Sequence, residues 1–133
     1  MQLFIVHGKN RPGDMANLTG ALASKGVNVL ITALGLNDQG LASFVASDET
    51  AAQAALKDAG FEYKMFPAVT VRLEDKPGQA ADISRRLGDQ GVNIECFLPI
   101  SWTDNKVIAA IGVDDLEVAR KALDEHLVEY SYS

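Results

Sequence analysis

The sequence contains one pattern twice, and a repeat of this length restricts the fold more than any single motif does. Three segments of the first half recur in the second half in the same order: Arg11-Pro12-Gly13 as Lys76-Pro77-Gly78, Gly26-Val27-Asn28-Val29 as Gly91-Val92-Asn93-Ile94, and residues 48–56 as residues 115–123. The first two recur 65 positions later and the third 67 positions later. We therefore expect two domains, residues 1–66 and 67–133, with two extra residues in a turn of the second copy.

Hydrophobic periodicity changes in the same order in each copy. Val69, Val71 and Leu73 alternate as in a strand, whereas Met15, Leu18 and Leu22 have helical spacing. The predicted strands are residues 3–7, 27–36, 41–47 and 61–66 in the first copy, and 68–74, 92–100, 107–113 and 127–132 in the second. A first helix follows each Pro-Gly and a second follows Asp48 or Asp115, which are predicted N-caps. The order strand, helix, strand, strand, helix, strand therefore occurs twice.

This order predicts an α+β fold with two ferredoxin-like repeats, because each right-handed crossover places its helix on the same side of the sheet. We expect the repeats side by side in one eight-stranded antiparallel sheet with helices on one face. Leu3 and Ile5 stand on the helix-free face where the second copy has Ala68 and Thr70. We expect another copy of the chain to cover them, which predicts a homodimer or larger homo-oligomer.

Composition argues against several classes of function. The chain has 12 Lys and Arg against 18 Asp and Glu, a formal charge of −6, and no basic cluster, so nucleic acid is not an expected partner. Phe97 and Trp102, the aromatic candidates for base stacking, are better explained by packing in a hairpin. The longest uncharged apolar stretch, residues 27–36, is too short for a membrane span, and the N-terminus does not resemble a secretory signal. A cytoplasmic protein without a membrane partner is expected.

The residues that catalysis commonly uses do not converge. His7 and His126 lie in different copies without matching partners, and Cys96 aligns with Ile31 on a predicted core strand. Two histidines and one cysteine without ligand spacing also argue against a transition-metal site. We therefore expect no enzyme activity, no metal and no cofactor.

The duplicated Pro-Gly loop carries the most information about binding. Its proline fixes the backbone, its glycine lets a ligand approach, and the helix that begins there directs free N–H groups outward, which suits a carboxylate. Asn28 and Asn93 begin the following strand and offer both a donor and an acceptor. The structural alternative is that Pro-Gly is only a helix start and Gly-Val-Asn only a helix exit.

These motifs resemble the signature of ACT domains, the amino-acid-sensing modules of biosynthetic enzymes, and the resemblance covers essentially the whole chain. In that family two units pair side by side and an amino acid binds at the seam, near the loop of one unit and the second strand of its neighbour. The resemblance implies these ligand-binding residues: Asn10, Arg11, Pro12, Gly13, Asn28, Val29, Asp75, Pro77, Gly78, Asn93 and Ile94.

The first copy is similar to the serine-sensing module of phosphoglycerate dehydrogenase, in which asparagines at the positions of Asn10 and Asn28 hold the ligand. The binding histidine of that module falls at Gly8, and His7 lies one residue earlier, on the opposite face of the strand. Asp75 replaces Asn10 in the second copy, so the two sites are not equivalent.

The resemblance implies an amino-acid-binding regulatory or sensor protein with sites at the seam between repeats. Two alternatives remain open. One is a regulatory subunit that docks on a biosynthetic enzyme such as acetolactate synthase or aspartate kinase. The other is a structural interaction module with vestigial sites.

Overall fold

The computed structural model describes all 133 residues, which form six strands, four α-helices and one turn of 3-10 helix. The elements, in chain order, are β1 (Gln2–Lys9), α1 (Asp14–Ser24), β2 (Val29–Leu36), β3 (Gln39–Ala46), α2 (Glu49–Asp58), β4 (Glu62–Glu74), α3 (Gln79–Asp89), β5 (Ile94–Thr103), β6 (Lys106–Val113), α4 (Leu116–Ala122) and the 3-10 turn (Asp124–His126). None of the helices has the length and apolar character needed to cross a membrane.

The chain divides into two compact units. The N-terminal unit consists of residues 4–65 and 132–133, and the C-terminal unit consists of residues 1–3 and 66–131. The strand order is β2-β3-β1 in the first and β4-β6-β5 in the second. All pairings given for these strands are antiparallel. The first three residues join the C-terminal unit, where the Ala68 N–H donates to the Met1 carbonyl at 3.0 Å.

Each unit packs its two helices on one face of its strands, as the hydrophobic pattern predicts. In the N-terminal unit, Leu18 and Leu22 of α1 and Leu56 of α2 share a core with Phe4 and Phe44. In the C-terminal unit, the corresponding core contains Ile83 and Leu87 of α3, Leu123, and a row of strand side chains from β4 and β6. The second helices begin at the predicted caps, since Asp48 accepts from the Ala51 N–H and Asp115 from the Val118 N–H.

The predicted eight-stranded sheet is wrong in its number of strands. The segments predicted as two strands, 61–66 and 68–74, are one continuous strand, β4, which contains Pro67. The predicted last strand at 127–132 is also absent. Only one isolated bridge, between Val71 and Leu127, forms there, together with hydrogen bonds between Thr70 and Val128.

The prediction that the two extra residues of the second copy lie in a turn is wrong. Both turns have two residues, since Leu36 pairs with Gln39 and Thr103 pairs with Lys106. The register of β5 instead shifts twice, between Ile94 and Cys96 and between Pro99 and Ser101. Each shift is an irregularity of the bulge type, which accommodates one extra residue in one strand. The first shift also moves Cys96 out of alignment with Ile31.

Leu3 does not need a second molecule to cover it. Its side chain is fully buried within the chain, and Ile5 is half-buried. Leu3 and Phe66 both approach Gly112, where an added Cβ would stand 3.7 and 3.5 Å from theirs. Exposure of Leu3 and Ile5 on the helix-free face is therefore no longer a reason to expect an oligomer.

Candidate functional site

A row of three glycines crosses the N-terminal unit on the face that carries its helices. Gly8 of β1 pairs with Gly40 of β3, which pairs with Gly35 of β2. Directly opposed residues of antiparallel strands share a face, and alternation places this row on the same face as the buried Val6 and Ala42. The row therefore consists of strand backbone without side chains of its own on the side of α1.

A cavity of about 730 Å³ lies over this bare backbone. Its floor is formed by the glycine row and by Ala33 and Ala42, and its walls include Met15 and Leu18 of α1 together with Phe61. Charged and amide side chains also line it: Lys9, Asn10, Arg11, Asp14, Asn17 and Glu62. We call this space the site cavity. Its size falls within the range of roughly 300–1,000 Å³ that is typical of small-molecule sites.

The glycines differ in what surrounds them. A Cβ at Gly35 would stand 2.3 Å from Asn10 Nδ2, and one at Gly40 would stand 2.8 Å from the Lys9 carbonyl oxygen. A Cβ at Gly8 would meet nothing within 4 Å. Gly35 and Gly40 are therefore required by the loop that packs on them, whereas Gly8 opens directly onto empty space.

Asn10 is held at the edge of the cavity by the β2–β3 hairpin. Its N–H donates to the Asp38 carbonyl at 3.0 Å, and its Nδ2 donates to the Asn37 carbonyl at 3.0 Å. Asn37 has a φ of 56°, a left-handed conformation that asparagine tolerates in turns. The hairpin thus fixes one of the predicted ligand-binding side chains.

Asp14 organises the rest of the loop through Arg11. The carboxylate accepts from the Arg11 N–H and from the guanidinium Nε and Nη2, each at 3.1 Å. The hydrogen bonds from Arg11 hold the pKa of Asp14 below its ordinary value of 3.8, and those to Asp14 raise the pKa of Arg11. Both groups are therefore charged at neutral pH, beside the start of α1.

The glycines of the duplicated loop have a conformational role that explains their recurrence. Gly13 and Gly78 are the N-cap residues of α1 and α3, with φ values of 89° and 95°. No side chain caps either helix. An added Cβ meets nothing within 4 Å at either position, so another residue would act there through backbone strain rather than crowding.

The structure does not bring the two predicted asparagines of the first copy together. Asn28 precedes β2, and Asn10 contacts the hairpin after β2, so a strand of 8 residues, about 26 Å, separates them. The Asn28 N–H donates to the Ser47 hydroxyl, the Asn28 carbonyl accepts from the Ser47 N–H, and Asn28 Oδ1 accepts from the Val29 N–H. Asn10 and Arg11 line the site cavity; Pro12, Gly13, Asn28 and Val29 do not.

The corresponding loop of the second copy is braced differently. The Asp75 N–H donates to the Asn105 carbonyl at 2.8 Å, as Asn10 does to Asp38. Gln79 accepts from the Glu74 N–H, and Lys106 pairs with Glu74, whose pKa it lowers through a hydrogen bond. This loop, which also holds Pro77 and Gly78, therefore begins beside a Lys-Glu ion pair, where the first copy has Lys9 and Gln39.

Asn93 and Ile94 have local partners at the start of β5. The Asn93 N–H donates to Asp114 Oδ1, and Asn93 Nδ2 donates to the Glu95 carboxylate, both at 2.9 Å. Ile94 is half-buried and packs on the core of its unit. The structural alternative for Gly-Val-Asn, a helix exit tied to the next strand, therefore accounts for the contacts of both asparagines within their units.

The second copy has residues with side chains in the row where the first copy has glycines. Leu73 pairs with Val107, which pairs with Trp102, and these three residues stand at the register positions of Gly8, Gly40 and Gly35. Leu73 is buried and belongs to the core of its unit. A smaller cavity of about 420 Å³ lies elsewhere in this unit, lined by Arg72, Ser101, Ile108 and residues of the β5–β6 turn.

The predicted orientation of His7 is confirmed. It pairs with Leu41 and alternates with Gly8, so its ring lies on the face away from the helices, and its Nε2 is 2.8 Å from Gln39 Oε1. The sequence interpretation did not single out Gly8, Gly35 and Gly40 as a group. The sequence does place a glycine two positions from an alanine in both β2 and β3. That these residues form one row can be recognised only when the register of the strands is known.

Comparison with known proteins gives the following matches. A family model described as an ACT domain pair matches residues 1–131. A protein of known structure from Bacteroides thetaiotaomicron has a TM-score of 0.77 and 23% sequence identity over 96% of this chain and 90% of that chain. The regulatory subunit of aspartate kinase from Thermus thermophilus, in a ligand-free form, has a TM-score of 0.64 and 20% identity over 94% and 90% of the two chains. No curated protein sequence gives a significant match.

Proposed function

Since the chain belongs to the family of ACT domain pairs, as its motifs predicted, we propose that it is a non-catalytic regulatory protein that binds a free amino acid or a related small metabolite. The observation that carries this proposal is the site cavity, which opens over the glycine row beside the duplicated loop. A pocket with a few convergent polar groups is the usual form of a small-molecule site.

The charges around the site cavity suit a zwitterion. Lys9 and Arg11 are cationic, and Asp14 and Glu62 are anionic. The first N–H groups of α1 have no intrahelical acceptor and attract a carboxylate, an interaction worth roughly 0.3–1 kcal/mol when exposed. A carboxylate would therefore bind near Arg11 and the start of α1, and an ammonium group near Glu62 or a backbone carbonyl.

We further propose that the chain pairs with a second copy through β2. This strand ends the order of the N-terminal unit, and its sequence, VLITALGL, has no charge and no proline. β5, at the end of the other unit, carries Glu95, Pro99 and two register shifts, which are features that discourage pairing. Leu34 and Leu36 at the end of β2 are 64% and 73% exposed.

Antiparallel pairing of β2 with its copy would also supply the second asparagine. In such a pair the start of one strand lies opposite the end of the other. Asn28 and Val29 of a second copy would then lie near the β2–β3 hairpin and Asn10. This arrangement reconciles the residues implied by the family with their separation within one unit.

A thermal-shift titration with the twenty amino acids tests the binding proposal. At a ligand concentration of about one hundred times the dissociation constant, binding adds about 2.7 kcal/mol of stability, which gives a clear rise in the melting temperature. We expect Arg11→Ala and Asn28→Ala to reduce the shift, while Glu49→Ala in α2, outside the cavity, leaves it intact. The absence of any shift would favour a structural module.

A second candidate function is favoured by the structural neighbours. One of them is described as a regulatory subunit of aspartate kinase, so this chain would regulate by docking on an enzyme. A pull-down with the tagged chain, with and without the amino acid found by titration, separates the two. Specific recovery of a biosynthetic enzyme supports the docking function, and its absence supports a free-standing sensor.

A further inference from the structure

The interior of the site cavity differs in chemistry from its rim. The floor consists of glycine and alanine, and the walls include Val6, Leu18 and Phe61. Val6 and Leu18 are 5% and 4% exposed, and Met15, at the start of α1, is 40% exposed. The charged lining residues Lys9, Arg11 and Asp14 belong to the loop and the first residue of α1, and Asn17 and Glu62 add polar groups from α1 and β4. The apolar part of the cavity is therefore its floor and the wall formed by Val6, Leu18 and Phe61.

We propose that the site cavity selects amino acids with a large apolar side chain, and that Gly8 is the residue that makes room for that side chain. This inference rests on the proposed amino-acid-binding function. The polar head of the ligand would stay at the charged rim, and its side chain would extend over Gly8 between β1 and α1.

Size and polarity both support this selection. A serine or alanine would leave most of a cavity of about 730 Å³ unfilled. A charged side chain would lose hydration against Val6, Leu18 and Phe61, which is costly, and the charged lining residues Arg11 and Glu62 are the partners that we assign to the ligand's carboxylate and ammonium groups. A leucine, methionine or phenylalanine side chain would instead remove apolar surface on both sides from water.

Gly8 has the properties required of a specificity-determining residue. It lies in a strand without a positive φ, and an added Cβ meets nothing within 4 Å, so larger residues fit the backbone. The second copy has Leu73 at the same register position, where the side chain is buried. A side chain at Gly8 would therefore occupy the space that we assign to the ligand.

Isothermal titration of the full chain tests the ligand class. We expect leucine, methionine or phenylalanine to bind at least about tenfold more tightly than alanine, serine, aspartate or lysine, since single methylene groups in apolar pockets already give differences of this order. Tighter binding of a small or charged amino acid would overturn the inference and leave the proposed function standing. Binding of none of them would overturn both.

Substitution at Gly8 tests the position. Gly8→Leu should abolish binding of the preferred amino acid, and Gly8→Ala should weaken it by a smaller factor. Gly20→Leu is the matched control, because Gly20 lies in α1 with open space around it and outside the site cavity. If Gly8→Leu does not fold, the graded loss with Gly8→Ala still decides the question. Unchanged affinity in a folded Gly8 variant would contradict the inference.

Discussion

At the scale of single residues, the glycines of this chain have two different physical roles. Gly13 and Gly78 adopt φ values of 89° and 95° as helix N-caps, which only glycine does without strain. Gly8 lies in an ordinary strand and matters because it has no side chain over the site cavity. Substitution of Gly13 or Gly78 should therefore lower the stability of the fold, whereas substitution of Gly8 should weaken ligand binding.

We predict opposite stability changes at two glycines of α3. Gly78→Ala should destabilise the protein by about 1–2 kcal/mol, because an L-residue is strained at this φ. Gly88→Ala should stabilise it by about 0.5–1 kcal/mol, because Gly88 lies inside the helix with open space around it. Urea unfolding of both variants measures the difference. Equal effects of the two substitutions would contradict the strain argument.

The Asp14 carboxyl should titrate below its ordinary pKa of 3.8 because of its hydrogen bonds from Arg11. A lowered folded-state pKa stabilises the native state above pH 3.8, and this contribution is lost as the pH falls through the folded-state value. Arg11→Gln should raise the pKa of Asp14. NMR titration of the carboxyl carbons measures this, with Glu125 as the internal control, since its pKa is lowered by Arg86 and should not change.

At the scale of elements, the two edge strands, β2 and β5, differ in how well their free edges could pair with another strand. β2 has 8 residues without charge or proline, whereas β5 has 10 residues with a proline, a glutamate and two register shifts. An uncharged, regular edge is a template for pairing, and bulges or prolines protect against it. Leu34 and Leu36, near the end of β2, are exposed on this edge strand of the N-terminal unit.

We predict that Leu34→Glu together with Leu36→Glu converts a dimer into a soluble monomer. Burying each leucine contributes about 1.5–3 kcal/mol, and paired carboxylates add repulsion. Trp102→Glu is the matched control on β5, since Trp102 is as exposed as Leu34, at 64%. Light scattering at micromolar concentrations measures the mass. A wild-type monomer, or a monomer produced by Trp102→Glu alone, would exclude pairing through β2.

At the scale of the whole molecule, the two units share the order strand, helix, strand, strand, helix but have different chemistry at equivalent places. The N-terminal unit has a glycine row under a cavity, and the C-terminal unit has Leu73, Val107 and Trp102 in the same row. The loop before the first helix contains an Arg11–Asp14 hydrogen bond in the N-terminal unit. In the C-terminal unit the corresponding loop is flanked by the Glu74–Gln79 hydrogen bond and the Lys106–Glu74 ion pair. Ligand binding is therefore expected in one unit only.

We predict a stoichiometry of one ligand per chain. The row of the C-terminal unit is filled with side chains, and Leu73 is only 5% exposed, so this unit has no equivalent space. Isothermal titration with the preferred amino acid gives the ratio directly. Trp102→Ala should leave both the ratio and the affinity unchanged. Two ligands per chain would show that the second loop binds by a different arrangement.

Sequence patterns predicted the features that depend on neighbouring residues. Helix periodicity, the aspartate caps at Asp48 and Asp115, and the positions of both hairpins follow from local preferences. The two extra residues of the second copy were placed in a turn, because a length difference does not indicate where a strand bulges. The glycine row could not be predicted, because it depends on the register of three strands. The continuity of β4 was also missed, because Pro67 indicated a boundary between two strands.

The continuous strand β4 also limits how the chain can be divided. β4 runs without a break from the second helix of the first copy, α2, to the first helix of the second copy, α3. The Met1 carbonyl accepts a hydrogen bond from the Ala68 N–H within the C-terminal unit. Deleting the first copy would remove residues 1–3, which belong to the C-terminal unit and include the start of β1. The C-terminal unit therefore needs residues from both sides of the repeat boundary, and the second copy on its own does not contain the whole of the unit to which it belongs.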